Sequence, residues 1–143
     1  MKPFHVVLDT NVLISALRSR RGASFELLRQ IGDARWRLHL STALLLEYEE
    51  IARREAQHFW LNPDKIEDVL DYLSANAQGH SITFRWRPVL SDPDDDFILE
   101  LAVAAKAQYI VTHNLSNFAG VEKFGIEAIA PAQMLLKFRE TMT

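Results

Sequence analysis

The chain has 143 residues, of which 48% are hydrophobic and 24% charged, and these values are typical of one soluble globular domain spanning residues 1–143. The absence of cysteine excludes disulfides and cysteine-based zinc sites and suits a cytoplasmic, reducing compartment. No apolar run is long enough to cross a membrane, and the net charge of −3 does not by itself indicate a nucleic-acid binder.

Apolar runs and turn signals alternate regularly along the chain. The runs at residues 4–9, 36–40, 81–86, 108–112 and 126–129 are predicted strands. Helices are predicted at residues 11–18, 24–31, 42–57 and 64–77, after Asp92-Pro93, and from Pro131 onward. This alternation predicts an α/β fold, a three-layer α/β/α sandwich with a central parallel sheet of four to five strands. In such sheets the working crevice lies beyond the carboxyl ends of the strands.

An acid follows the first strand directly. The apolar run Val6-Val7-Leu8 delivers Asp9 to the carboxyl edge of the sheet, and Asn11 follows two residues later. A carboxylate buried there needs a partner, because burying it unpaired is costly. Asp, Thr and Asn are also helix-capping residues, so a simple cap is the alternative role for Asp9.

The helix after the second strand carries Glu47. This residue lies three positions after Leu44 and four before Ile51, on the predicted buried stripe, where a carboxylate requires a reason. An ordinary surface position is the alternative. Glu50 precedes two arginines by three and four residues, which is typical of a solvated ion pair.

An acidic cluster, Asp92-Pro-Asp-Asp-Asp96, opens the helix before the fourth strand. A cap at Asp92 and acids in the first helical turn would explain part of it. Helical periodicity places Asp94 and Asp95 on the apolar side and Asp96 away from it, so it does not single out Asp95.

Four segments together resemble the PIN-domain ribonucleases, in particular the VapC-like toxin components of toxin–antitoxin systems. They are Val-Leu-Asp9-Thr-Asn11, Leu46-Glu47, Asp92-Pro-Asp-Asp95, and Tyr-Ile-Val-Thr112-His-Asn114. The resemblance implies a PIN-like fold and an endoribonuclease that depends on Mg²⁺ or Mn²⁺.

The resemblance also implies roles for individual residues. Asp9, Glu47 and Asp95 correspond to the catalytic acids and metal ligands. Asp92 is a supporting acid, and Asp96 is an alternative third acid. Asn11 would orient Asp9 or a metal-bound water, and Thr112 would hold the neighbouring loop. Asn114 stands where many PIN domains have a fourth acid, which leaves the site with one negative charge fewer.

The implied substrate is RNA, and the implied partners are proteins. Arg18, Arg20 and Arg21, with Arg85 and Arg87, are candidate phosphate contacts, although a solvated basic loop is the alternative. We expect a homodimer formed through the helices at 42–57 and 64–77, and an antitoxin protein where the chain is the toxin of a type II toxin–antitoxin system. His39, His113 and the three tryptophans are assigned structural or peripheral roles.

Two other functions compete with this one. The first is a catalytically weak or inactive PIN-fold module that binds RNA or a protein partner, and Asn114 is its main support. The second is a phosphotransferase with Asp9 as covalent nucleophile. Asn11 disfavours it, because that chemistry usually needs a second acid two residues after the first.

Overall fold

The structure is a computed structural model that describes residues 2–81 and 93–140, with the side chains of Pro93 and Asp94 excepted. The described strands are Phe4–Leu8 (β1), Trp36–Ser41 (β2), Ala77–His80 (β3), Tyr109–Val111 (β4) and Glu127–Ile129 (β5). The described α-helices are Thr10–Arg18 (α1), Ala23–Arg29 (α2), Thr42–Glu55 (α3), Ile66–Ala75 (α4), Pro93–Ala104 (α5) and Pro131–Glu140 (α6). Short 3₁₀ turns cover Ala56–His58, Pro63–Lys65, Leu115–Phe118 and Val121–Phe124.

The five described strands form one parallel sheet in the order β3-β2-β1-β4-β5. The strand order reverses at β1, which lies in the centre. Right-handed crossovers then place α5 on the face opposite to α1–α4. The predicted three-layer α/β/α sandwich with a parallel sheet is therefore confirmed, and the end of β1 lies at the topological switch point, where ligands of such sheets bind.

The packing of β1 against its neighbours fixes this central edge. Val6, Val7 and Leu8 are fully or almost fully buried, as the apolar run predicts. The hydroxyl of Tyr48 on α3 donates a hydrogen bond to the carbonyl oxygen of Leu8, 2.5 Å away. Helix α3 thus fixes the position of Leu8, the last residue of β1, which immediately precedes Asp9.

The third strand differs from the prediction. The described strand is Ala77–His80, directly after α4, whereas the predicted strand at 81–86 lies outside the described residues except for Ser81. The sequence Ala-Gln-Gly-His has no apolar alternation of its own. It is extended because it pairs with β2 at the edge of the sheet, a cause that local periodicity does not report. The helix predicted at 64–77 accordingly ends at Ala75.

Three histidines form a hydrogen-bonded row across β1, β2 and β3, which we call the histidine row. Nδ1 of His5 lies 2.8 Å from Nε2 of His39, and Nδ1 of His39 lies 2.8 Å from Nε2 of His80. His39 is 2% exposed, so its structural assignment agrees with its position. Burial and the two neighbouring imidazoles lower the pKa of His39 to about 4.

The histidine row predicts an acid-sensitive stability. The folded pKa of His39 is about 4 against an ordinary value of 6.5, so the unfolded chain binds the proton more readily between these values. The neutral form of His39 therefore adds to the free energy of unfolding. This contribution, at most about 3 kcal/mol, is fully present above pH 6.5 and is lost as the pH falls through about 4. We expect urea unfolding to show that the free energy of unfolding falls less between pH 7.5 and pH 4.5 in His39→Gln than in the wild type. His58→Gln, at an exposed position, is the control, and an identical loss in all three chains would contradict the prediction.

Among residues 2–81 and 93–140, no helix is both long enough and apolar enough to cross a membrane.

Candidate functional site

Asp9 connects β1 to α1, and its side chain is hydrogen-bonded to a residue at the end of the neighbouring strand β4. It occupies the N-cap position of α1, but its side chain makes no capping hydrogen bond. Instead the hydroxyl of Thr112, at the end of β4, donates to Oδ2 of Asp9 at 2.7 Å. Asp9 thus keeps the N-cap position, while its carboxylate is also held at the sheet edge by Thr112.

The carboxylate of Asp9 is in an unfavourable position for a charge. It is 7% exposed. Desolvation by this burial raises its pKa above the ordinary value, although the hydrogen bonds from Thr112 and from the Thr10 backbone and the nearby His113 act in the opposite direction. Ionised Asp9 thus costs the folded protein free energy at neutral pH, a cost that a bound cation would offset.

Glu47 approaches Asp9 from α3. The helix buries Leu44, Tyr48 and Ala52, while Glu47 is half-buried beside this stripe. The hydroxyl of Thr10, adjacent to Asp9, donates a hydrogen bond to Oε2 of Glu47. Glu47 therefore points toward the end of β1 and is not an ordinary surface residue.

The acids of α5 are placed differently from the prediction. Asp95 is half-buried and lines the same cavity as Asp9. Asp96, which periodicity places away from the Ile98–Ala102 stripe, is nevertheless buried, with 7% of its surface exposed. The reason is that Ile98, Leu99 and Leu101 are all buried, so α5 is enclosed on more than one side. Asp92 and the side chain of Asp94 lie outside the described part of the chain, as do Arg85 and Arg87.

Thr112 connects three groups at the end of β4. Its fully buried hydroxyl donates to Asp9 and accepts from Nδ2 of Asn11 at 3.4 Å and from the backbone N–H of Asn114 at 3.0 Å. Oδ1 of Asn11 accepts from the backbone N–H of His113 at 3.2 Å. Thr112 thus holds the loop, as expected, and also orients Asp9, while Asn11 contacts the same loop and makes its hydrogen bonds to Thr112 and His113.

These side chains surround an open cavity of about 580 Å³, which we call the α1–α3 cavity. The lining residues are Asp9, Thr10, Asn11, Ile14, Ser15, Arg18, Ser19, Glu47, Ile51, Glu55, Asp95, Asn114 and Asn117. Its volume is in the range of pockets that bind small ligands or parts of larger ones. The structure therefore brings Asp9, Glu47 and Asp95 to one space from three separate elements.

The candidate arginines divide into two groups. Arg18 lines the α1–α3 cavity and forms an ion pair with Glu55. The guanidinium of Arg20 lies over the ring of Trp60, 5.0 Å from its centroid, and Arg21 is exposed. Of the predicted phosphate contacts that the structure describes, Arg18 is thus the one that lines the cavity.

The donors around the cavity fit a hard divalent cation. Asp9, Glu47 and Asp95 offer carboxylate oxygens, the ligands that Mg²⁺ and Mn²⁺ prefer. Within the described residues, no three His, Asp or Glu side chains form a ready-made metal cluster. The donor set thus fits a cation that keeps several of its waters, as Mg²⁺ usually does.

Some residues of the site were not identified from sequence. Thr10 and Glu55 line the cavity, and Thr10 holds Glu47. Glu55 could have been found, because Glu47, Ile51 and Glu55 repeat at intervals of four on one face of a helix. Thr10 had no such signal, since its contact depends on how α1 packs against α3.

A family model described as PIN domain matches residues 5–116, and the chain belongs to the PIN-domain family. The predicted family membership is confirmed.

Two solved structures resemble the fold. A chain in the crystal structure of VapBC2 from Rickettsia felis, bound to a DNA fragment from their promoter, has a TM-score of 0.58 and 12% sequence identity, covering 89% of this chain and 98% of that one. The PIN domain endonuclease Utp24 has a TM-score of 0.50 and 18% identity, covering 90% and 85%. No curated protein matches the chain at a significant level.

Proposed function

We propose that this chain is a metal-dependent endoribonuclease that hydrolyses RNA phosphodiester bonds, and that it is the toxin of a type II toxin–antitoxin system. The observation that carries the proposal is the convergence of Asp9, Glu47 and Asp95 on one cavity at the switch point of the sheet. Membership of the PIN-domain family and the likeness to VapBC2 and to the endonuclease Utp24 support it.

Asp9, Glu47 and Asp95 would hold Mg²⁺ or Mn²⁺, with Asp92 as a supporting acid and Asp96 as an alternative ligand. When bound, the cation supplies positive charge that activates a water and stabilises the charge developing on the scissile phosphate. The buried position of Asp9, which is unfavourable for a free carboxylate, supports its role as the central ligand.

Neighbouring side chains orient these acids. Thr112 fixes Oδ2 of Asp9, while Thr10 fixes Oε2 of Glu47. Such second contacts keep ligating carboxylates in position. Asn114 lines the cavity from the opposite loop, where its neutral amide can bind a phosphate oxygen or a water without adding repulsion.

The wider assignments are part of the same proposal. Arg18, Arg20 and Arg21 would contact RNA phosphates, and the protein would act in the cytoplasm with an antitoxin partner.

A homodimer through α3 and α4 has support from the exposed apolar side chains of Leu46 and Tyr72 on these helices. Residues 1–143 would form a single PIN-like domain, because Phe138 of α6, beyond the matched residues, packs against Trp36.

The proposal is tested by incubating the purified chain with labelled single-stranded and structured RNAs, and with DNA of the same sequences. We expect RNA cleavage in Mn²⁺ or Mg²⁺, no cleavage in excess EDTA, and recovery when the metal is restored. Internal fragments on denaturing gels would identify endonucleolytic cleavage. Cleavage that persists at full rate in EDTA would contradict metal dependence, and intact RNA under all metal conditions would contradict the nuclease.

A second candidate is a PIN-fold module that binds RNA or a protein without turnover. One observation favours it: Asn114 stands where many PIN domains have a fourth acid. Saturable RNA binding without cleavage in the same assay would select this function.

A further inference from the structure

The α1–α3 cavity is acidic at one end and carries an ion pair at the other. Helix α3 contributes Glu47, Ile51 and Glu55 to its wall, and α1 contributes residues from Thr10 to Arg18. Glu55 follows Glu47 by two helical turns, which is about 12 Å along the helix. A strand of RNA with its scissile phosphate beside the acids would therefore reach Glu55 and Arg18 with a phosphate farther along its backbone.

Arg18 is the only cationic side chain among the described residues that line this cavity. The same lining contains four carboxylates, those of Asp9, Glu47, Glu55 and Asp95. The charge of this lining is thus negative overall, and Arg18 is the charge in it that attracts a polyanion.

Arg18 is already engaged. Its Nη2 donates to Oε1 of Glu55, and the side chains of Arg18 and Glu55 are 48% and 29% exposed. An ion pair with this exposure is worth little, because both groups remain partly hydrated. A phosphate accepts the same kind of charge-assisted hydrogen bond and can therefore displace Glu55.

We propose that Glu55 is a positioning residue that holds Arg18 when RNA is absent and is displaced by a phosphate farther along the RNA backbone than the scissile one. This inference rests on the proposed ribonuclease function and adds a second phosphate subsite to it. Glu55 lowers the affinity for RNA, because binding must first break the Arg18–Glu55 pair.

The test measures binding of a fluorescein-labelled single-stranded RNA by anisotropy, using full-length Asp9→Asn chains in Mg²⁺ so that no cleavage occurs. In this background we expect Glu55→Gln to raise the affinity about two- to fivefold, the range of a surface ion pair. Arg18→Gln should weaken binding. It should also reduce, by about one, the slope of the logarithm of the binding constant against the logarithm of the salt concentration. Glu49→Gln is the matched control, because Glu49 lies on the same helix, pairs with Arg53 and does not line the cavity.

The double variant Arg18→Gln/Glu55→Gln distinguishes displacement from simple charge repulsion. If Glu55 acts through Arg18, Glu55→Gln has little effect once Arg18 is absent. If Glu55→Gln raises the RNA affinity equally with Arg18 present and with Arg18→Gln, the inference is overturned, since the carboxylate would then repel RNA directly. Unchanged or weaker binding in Glu55→Gln would also overturn it, and thermal unfolding of each variant separates this result from loss of the fold.

Failure of the inference and failure of the proposed function give different results. Metal-dependent RNA cleavage by the wild type, together with unaltered binding in Glu55→Gln, overturns the subsite alone. Absence of both cleavage by the wild type and binding by every variant overturns the ribonuclease and the subsite together.

Discussion

Asn in place of Asp9 is expected to lower RNA cleavage by roughly a thousandfold or more and to raise the stability of the metal-free protein. The expected loss of activity follows from the proposed role of Asp9 as the central metal ligand. The gain in stability follows because burial raises the pKa of Asp9, so the ionised carboxylate destabilises the fold at neutral pH. Asn has nearly the same shape, and its amide oxygen can still accept the hydrogen bond from Thr112.

The dependence on pH has a definite sign. A folded pKa above the unfolded one means that Asp9 contributes stability at low pH, and this contribution is lost as the pH rises through the folded value. Thermal unfolding without metal should therefore show the largest difference between the Asp9→Asn variant and the wild type at neutral pH. Added Mn²⁺ should stabilise the wild type and have a much smaller effect on the variant.

Parallel measurements of cleavage rate and melting temperature check this prediction. Full activity in Asp9→Asn would exclude Asp9 as a required ligand. A variant that is inactive and also less stable than the wild type at neutral pH would show that Asp9 stabilises the fold, which contradicts the argument from desolvation.

Gln in place of Glu47 is expected to reduce cleavage about a hundredfold or more, whereas Glu50→Gln should change it by less than about twofold. The two residues lie on the same helix, three positions apart. Glu47 lines the cavity and accepts from Thr10, while Glu50 pairs with Arg54 at 3.2 Å on the exposed face. Gln retains an acceptor for Thr10, so the change at Glu47 removes the charge with little effect on the contact.

The cleavage rate as a function of Mn²⁺ concentration separates the possible causes. A loss of metal affinity in Glu47→Gln is partly recovered at high Mn²⁺, and the same concentration should leave Glu50→Gln unaffected. Equal losses in both variants would indicate a general effect of charge on α3 and would contradict a specific role for Glu47.

Local sequence predicted the central part of the fold well. The apolar run before Asp9 defines β1, because a strand buried on both faces needs apolar residues at successive positions. The α/β alternation and the order of the elements followed from the same periodicity. β3 was missed because Ala77–His80 is an edge strand, and its extended conformation depends on pairing with β2 and not on its own side chains.

The sequence by itself also determined the candidate residues of the site: Asp9 after β1, Glu47 on the helix after β2, and the acidic first turn of α5. Only the tertiary structure decided what each of them does. Thr112, 103 residues away, makes Asp9 a buried and oriented acid where the sequence also allowed a cap. Thr10 holds Glu47 by a hydrogen bond beside Asp9, and the enclosure of α5 buries Asp96 although it lies off the apolar stripe. The physical reason is that hydrogen-bond partners and desolvation are set by contacts between distant segments, which the spacing of residues along the chain does not contain.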